Sequence, residues 1–287
     1  MRRFFCISLL LGLLSACSGP SRPVLVLDDI PTDQHWSGEV RIRGDVVVPE
    51  GVSIYVEPGT DIVFLPPAPE EDIYRSHPNF PGSELIVRGQ LVARGRADAP
   101  ITFRSLNRRD PAGSWGGINL EESVKSQFSF CRFTQADSAL HARQSVVDVR
   151  HSVFEANGVG LRFHSSRIII ENNDFIENDA AIRFHFGAPV IRRNTFRRNG
   201  KAFFVTSHPK DYLIEFNDIL ASDEYQVVLG EAVPDDVLMP RNYWGSTNAG
   251  DIAGEFFDGR RSDYIGRVVF RPFLSDPVSN AGASWNR

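Results

Sequence analysis

The phrase Asn-x-Phe-x-x-Asn occurs at Asn173, Phe175 and Asn178 and returns 21 residues later at Asn194, Phe196 and Asn199. Phe154 and Asn157 keep the same shift upstream, and Phe133 keeps it once more. A fixed period of this size constrains the fold more than any other feature, because each repeat must be one structural unit stacked on the next. Phe133, Phe154, Phe175, Phe196 and Ile219 form one apolar column, and Phe128, Val149, Ile170, Ile191 and Ile214 form another five residues earlier. A third set follows at Leu140, Leu161, Ile182 and Phe203, with Ala142, Phe163, Phe184 and Val205 two residues beyond it. Each unit thus holds three short segments with the period-two alternation of strands, parted by the Asn, Gly and Asp that turns require.

Three strands per 21-residue unit, with like residues stacked, describe an all-β, right-handed parallel β-helix. Leucine-rich repeats share the length but need a leucine skeleton and a helix-forming half, both absent; a propeller blade needs roughly twice the period. The asparagines fit the coil. Asn173, Asn194 and Asn217 fall at one bend and Asn157, Asn178 and Asn199 at another. Their amides, repeated at the strand spacing of about 4.8 Å, form a structural hydrogen-bonding ladder. The N-terminal third follows the same logic, with inward pairs Val40/Ile42, Val46/Val48, Ile54/Val56, Ile62/Phe64, Leu85/Val87, Leu91/Ala93 and Ile101/Phe103.

Several phrases resemble right-handed β-helix repeat proteins of bacterial envelopes, a pectin-lyase-like group of carbohydrate-binding and sugar-hydrolysing β-helices. They are Val-x-Pro-Glu-Gly-Val-x-Ile-x-Val-x-Pro-Gly-Thr from Val47, Pro-Ile-Thr-Phe-Arg-Ser from Pro100 and Ser-Trp-Gly-Gly-Ile from Ser114. Asn-Tyr-Trp-Gly at Asn242–Gly245 and Val-Val-Phe-Arg-Pro-Phe-Leu at Val268–Leu274 extend the likeness to roughly residues 36–276. The resemblance implies the fold and leaves activity open, because that group mixes lyases, hydrolases, epimerases, adhesins and non-catalytic binders. It includes a periplasmic accessory factor of nitrous-oxide-reductase maturation, so service to a metalloenzyme is a further alternative.

The chain begins MRRFFCISLLLGLLSACSGP, with paired arginines before an apolar stretch too short to span a bilayer. Leu14-Ser15-Ala16-Cys17 resembles the lipobox of bacterial lipoproteins, which implies cleavage before Cys17 and lipidation of its thiol; an ordinary signal peptide cut near Ala16 is the alternative. The expected organisation is a signal peptide over 1–16 and a lipidated Cys17 with tether over 17–35. A β-helix over 36–241 follows, with an excursion over 66–82, then a C-terminal cap over 242–276 and a disordered tail over 277–287. Ser18, rather than Asp, after the lipidated residue points to the outer membrane, so membrane attachment through lipid is expected. Loss of the signal removes two arginines and no acid, taking the net charge from −5 to near −7. That disfavours nucleic-acid partners, which need a basic surface. Cys131 is then a lone thiol, so core and ladder must hold the exported chain together without an intramolecular disulfide.

Outward columns carry whatever chemistry the coil has. Arg150, Glu171, Arg192 and Glu215 alternate in sign and read as a structural ladder of ion pairs. His141, Arg162 and Arg183 form a column without such balance, and Arg143, His164 and His185 form the next one outward. No acid is expected among these six, and stacked like charges require a partner. They are the candidate binding face, for carboxylates or sulfates of an acidic polysaccharide or for an envelope protein; a solvated strand face with neutral histidines is the competing reading. The arginines oppose a cation beside His164 and His185, so neither metal nor cofactor is expected. Lyases of this fold use clustered acids for calcium and a basic residue as base, and hydrolases use two or three nearby carboxylates. No outward column shows acids in consecutive coils, so catalytic residues are not assigned, with a lyase, hydrolase or epimerase acting on an acidic glycan kept as the alternative.

Overall fold

Each apolar column becomes a hydrogen-bonded register between parallel strands. The computed structural model describes residues 23–286. A representative coil runs through strands Cys131–Thr134, Ala136–Arg143 and Val146–Arg150, which belong to the first, second and third sheets in turn. Among the described residues the first and second sheets hold nine strands each and the third holds eight, all paired in parallel with the coil before and after. The architecture is a parallel β-helix. In the first sheet Phe103, Phe133, Phe154, Phe175, Phe196 and Ile219 stand in register. The five phenylalanine rings stack at 4.7–5.0 Å between centroids and within 8° of parallel. The pairs expected to face inward in the N-terminal third are all buried.

The bends explain why the repeat needs asparagine. At the turn from third to first sheet His151, Asn172, Arg193 and Phe216 adopt φ of 47–57°, the left-handed region that costs a non-glycine residue about 1–2 kcal/mol. The next residue satisfies the bent backbone. Ser152, Asn173, Asn194 and Asn217 each donate a backbone N–H to the side-chain oxygen one coil on, at 2.8–3.0 Å, ending at Asn242. Ala136, Asn157 and Asn178 do the same at the first-to-second bend, ending at Asn199. A serine ladder, Ser123, Ser145 and Ser166, serves the second-to-third bend at 3.0 Å.

Both ends depart from expectation. The stretch read as a tether is built into the coil where it is described: Val24–Val26 pairs with Glu39–Arg43, Gln34–Trp36 pairs with Ser53–Val56, and Ile30 is buried. The unpaired edge of a first coil needs cover, and this segment supplies it. The stretch read as a signal peptide, and Cys17, lie outside the described residues. At the other end Trp244 is buried and meets Phe256 edge-on at 5.0 Å, closing the last coil together with the short helix Ala249–Gly254. The tail is not disordered. It folds back across the first sheet, where Val278 N–H donates to Asp218 and Ala283 N–H to Asp174. Ala283 and Trp285 cover Val153 and Ile176. Gly282, at φ +83°, passes so close that a Cβ would sit 2.3 Å from Asp174 Oδ1. Apart from the single Trp285, these contacts use small residues and polar donors, which leave no hydrophobic period in the sequence.

Candidate functional site

Regular coils present flat outer faces, so a concavity needs an added wall. The excursion 66–82 provides one over the second sheet. It leaves the first sheet at Leu65 and returns at Glu84, crossing the outer face on carboxylate anchors. Asp45 Oδ2 accepts the N–H groups of Ile73 and Tyr74 at 2.6 and 2.7 Å. Glu84 Oε1 accepts that of Phe80 at 2.9 Å, and Glu71 binds Arg43 at 2.9 Å. The strap so held brings His77, Pro78 and Phe80 against the two outward columns. Between them lies an open cleft of about 450 Å³.

The structure brings all six candidate residues to this cleft. His141, Arg162 and Arg183 stand in register on three adjacent strands, as do Arg143, His164 and His185. Two of the six differ from expectation. His141 is buried rather than outward and free, its Nδ1 3.1 Å from Asn119 Oδ1 and its ring edge-on to Phe80 at 5.5 Å. Burial, with Arg162, His77 and Arg143 nearby, lowers its pKa to about 3, against a backbone hydrogen bond to Pro78, so the ring is neutral at physiological pH. Arg143 is balanced after all. Glu121 stands opposite it one coil earlier and pairs with it at 2.9 Å.

What remains is a pair of uncompensated guanidinium groups. Arg162 and Arg183 form no ion pair among the described residues. Each lies over an aromatic face, Arg162 Cζ 4.8 Å from the Phe80 ring centroid and Arg183 Cζ 4.9 Å from that of Phe204. Stacking fixes the guanidinium plane and leaves its edge donors for a ligand. Arg162 Nε is buried without a hydrogen-bond partner. Burial and then Arg183 lower the Arg162 pKa to about 10, partly offset by Asp137 on the flank, and the group remains a cation. His164 and His185 stack at 5.1 Å and 12°, and burial followed by His185, Arg143 and His77 lowers the pKa of His164. His185 lies 3.3 Å from Thr206 Oγ1, which orients it. Among the described residues no three His, Cys, Asp or Glu side chains converge to hold a metal ion.

Sequence columns alone do not give the strap wall, since residues 66–82 lie outside the repeat. Phe204 and Thr206 follow Arg183 and His185 by the same 21 residues, so extending the columns one coil would have found them. One further feature corrects the reading of the acids. Asp45 and Glu84 are register partners on adjacent strands, hence two acids in consecutive coils, spaced 39 residues apart because the strap intervenes.

A family model described as a right-handed β-helix region matches residues 97–230. The fold is a right-handed parallel β-helix. No curated protein and no solved structure matches the chain. The matched region of the β-helix contains both basic columns and Phe204, whereas Asp45, Glu84 and the strap residues lie before it. The cleft therefore joins a wall of repeats to a wall outside the repeat match.

Proposed function

We propose that this β-helix is an exported, lipid-anchored and non-catalytic protein whose second-sheet cleft binds the anionic groups of an acidic envelope or extracellular polysaccharide. The observation that carries the reading is the Arg162–Arg183 pair, on adjacent strands, stacked on phenylalanines and unpaired by acid. Two cations in such proximity repel, and an oxyanion between them removes that repulsion while accepting the edge donors. A chain of net charge −5 gains no general attraction for polyanions, so affinity must come from this local island. The neighbouring His164 and His185 offer hydrogen bonds suited to sugar hydroxyls. A polymer with a repeating charge fits a surface whose donors repeat at about 4.8 Å.

The test is binding of the mature chain, purified in detergent, to polygalacturonate and dextran sulfate. Arg162→Ala/Arg183→Ala is expected to weaken binding by about 10–100-fold, the scale of two lost charge-assisted contacts. Equal binding by both proteins would remove the cleft from the reading. Release of unsaturated or reducing ends from either polymer would replace it with an enzyme.

Anchoring has its own test. Cys17→Ser is expected to block processing and leave an uncleaved precursor without acyl label, because several acyl chains hold a protein stably where one is marginal. A normally cleaved, freely soluble Cys17→Ser protein would assign export to an ordinary signal peptide.

A further inference from the structure

Glu84 is fully buried and, among the described residues, has no cation paired with it. Its carboxyl packs on Gly116 so closely that a Cβ there would lie 2.4 Å from Glu84 Cγ. Oε1 takes the Phe80 N–H, while Oε2, Asp45 Oδ1 and Asp72 Oδ1 are buried without hydrogen-bond partners. The groups facing it and its neighbours come from four elements. Asp45 lies on the neighbouring strand, Asn79 and the Phe80 N–H belong to the strap, and Asn119 lies on strand Trp115–Glu121, while Asp72 and Arg75 of the strap face Asp45 and His77 faces His141 on Ala136–Arg143. Arg75 is engaged by Asp72 at 3.1 Å and Arg43 by Glu71. An ionised Glu84 would thus add a second negative charge beside Asp45, whose nearby cation Arg75 is already engaged by Asp72.

We propose that the strap 66–82 is a proton-dependent latch, holding Phe80 against Arg162 while the Glu84 carboxyl keeps its proton and releasing that wall as the proton is lost to solvent. Phe80 is then a positioning residue, since its ring sets the plane of the guanidinium that meets the anion. The latch rests on reading the cleft as the ligand site, and it adds regulation to that site.

The sign follows from burial. Desolvation raises the Glu84 pKa from 4.5 to about 8, with Asp45 adding to the rise and Asn119, Asn79 and the Phe80 N–H drawing it back. A carboxyl that prefers its proton in the closed form stabilises closure fully below its open-state value and loses that contribution as pH rises to about 8. His141 works in the opposite sense over a lower range. Its pKa falls from 6.5 to about 3 on burial, so its contribution to closure grows as pH rises and is complete above 6.5. Asp45, also raised by burial first, acts in the same direction as Glu84. The interval from 6.5 to 8 therefore isolates Glu84 from His141.

Hydrogen exchange of the mature protein, corrected for the intrinsic pH dependence, reads the opening of the amides of Ile73, Tyr74 and Phe80 directly. Their opening constant is expected to rise about tenfold per pH unit across this interval and then level off, while amides of the core strand Asp174–Ile176 stay flat. Glu84→Gln keeps an acceptor for Phe80 and is expected to abolish the slope. Asp45→Asn removes the neighbouring charge and is expected to bring the plateau to lower pH. A wild-type slope that is absent, or that persists unchanged in both variants, overturns the latch. Saturating polygalacturonate or dextran sulfate is expected to slow exchange at the same amides; measured binding without that protection overturns the coupling of strap to cleft. If neither polymer binds, the polysaccharide reading fails, and the pH slope judges the latch by itself.

Discussion

Phe175→Ala is expected to destabilise the coil by about 3–5 kcal/mol, the usual cost of emptying a large aromatic site in a packed interior. Phe175 is fully buried and stacks on Phe154 at 4.9 Å and on Phe196 at 5.0 Å. Its neighbours cannot collapse into the gap, because the strands on either side are fixed by register at both faces. A β-helix also passes stability only between adjacent coils, so a weakened coil uncouples those before it from those after it. Two signatures should appear together in chemical denaturation: a lower midpoint and a broader or split transition. Phe175→Leu, which leaves most of the volume filled, should lower the midpoint less and keep a single transition. A loss below about 1 kcal/mol in Phe175→Ala would mean that the ring is not part of the packed column.

The sequence carried the coil because its physics is periodic. Inward residues must be apolar in every turn, and the ladder must place an amide at the same offset, so both are printed 21 residues apart, with 23 at the step to Asn217 and Ile219. Phe133 to Ile219, and Asn173 to Asn217, could be read for that reason. The basic columns were legible on the same principle, and their register is as expected. What escaped the reading lies outside the period. Glu121 opposite Arg143 is shifted by 22 residues rather than 21, and the column of acids at Asp45 and Glu84 is interrupted by the strap. Phe80 stands over Arg162 only because carboxylates fold the strap back, and nothing in a Pro-rich stretch announces where it will land. The tail shows the same limit, since it docks through backbone N–H groups on Asp174 and Asp218.

Asn194→Ala is expected to cost about 3–5 kcal/mol although it removes little apolar surface, because it leaves at least two buried polar groups unsatisfied at about 1–3 kcal/mol each. Asn194 Oδ1 accepts from the Asn173 backbone N–H at 2.9 Å and from its amide at 3.0 Å. Asn194 Nδ2 donates to Ile170 O at 2.9 Å, to Arg192 O at 3.0 Å and to Asn217 Oδ1 at 3.0 Å. Asn173, Ile170 and Asn217 are buried, and the preceding Arg193 holds a left-handed φ of 55° that needs this support. The distinguishing measurement is a double-mutant cycle with Asn173→Ala. In Asn194→Ala alone the Asn173 amide keeps Val149 O but loses its second acceptor; when Asn173 is also removed, that orphaned side-chain N–H no longer exists. The double variant should therefore lose less than the two single losses together, with a coupling of about 0.5–3 kcal/mol, as expected for neighbours in one network. Additive losses would reduce the asparagines to independent caps of separate bends. Coupling would instead identify the column as one hydrogen-bonded unit, in which the bends of adjacent coils are held by the same amides that the 21-residue repeat places in line.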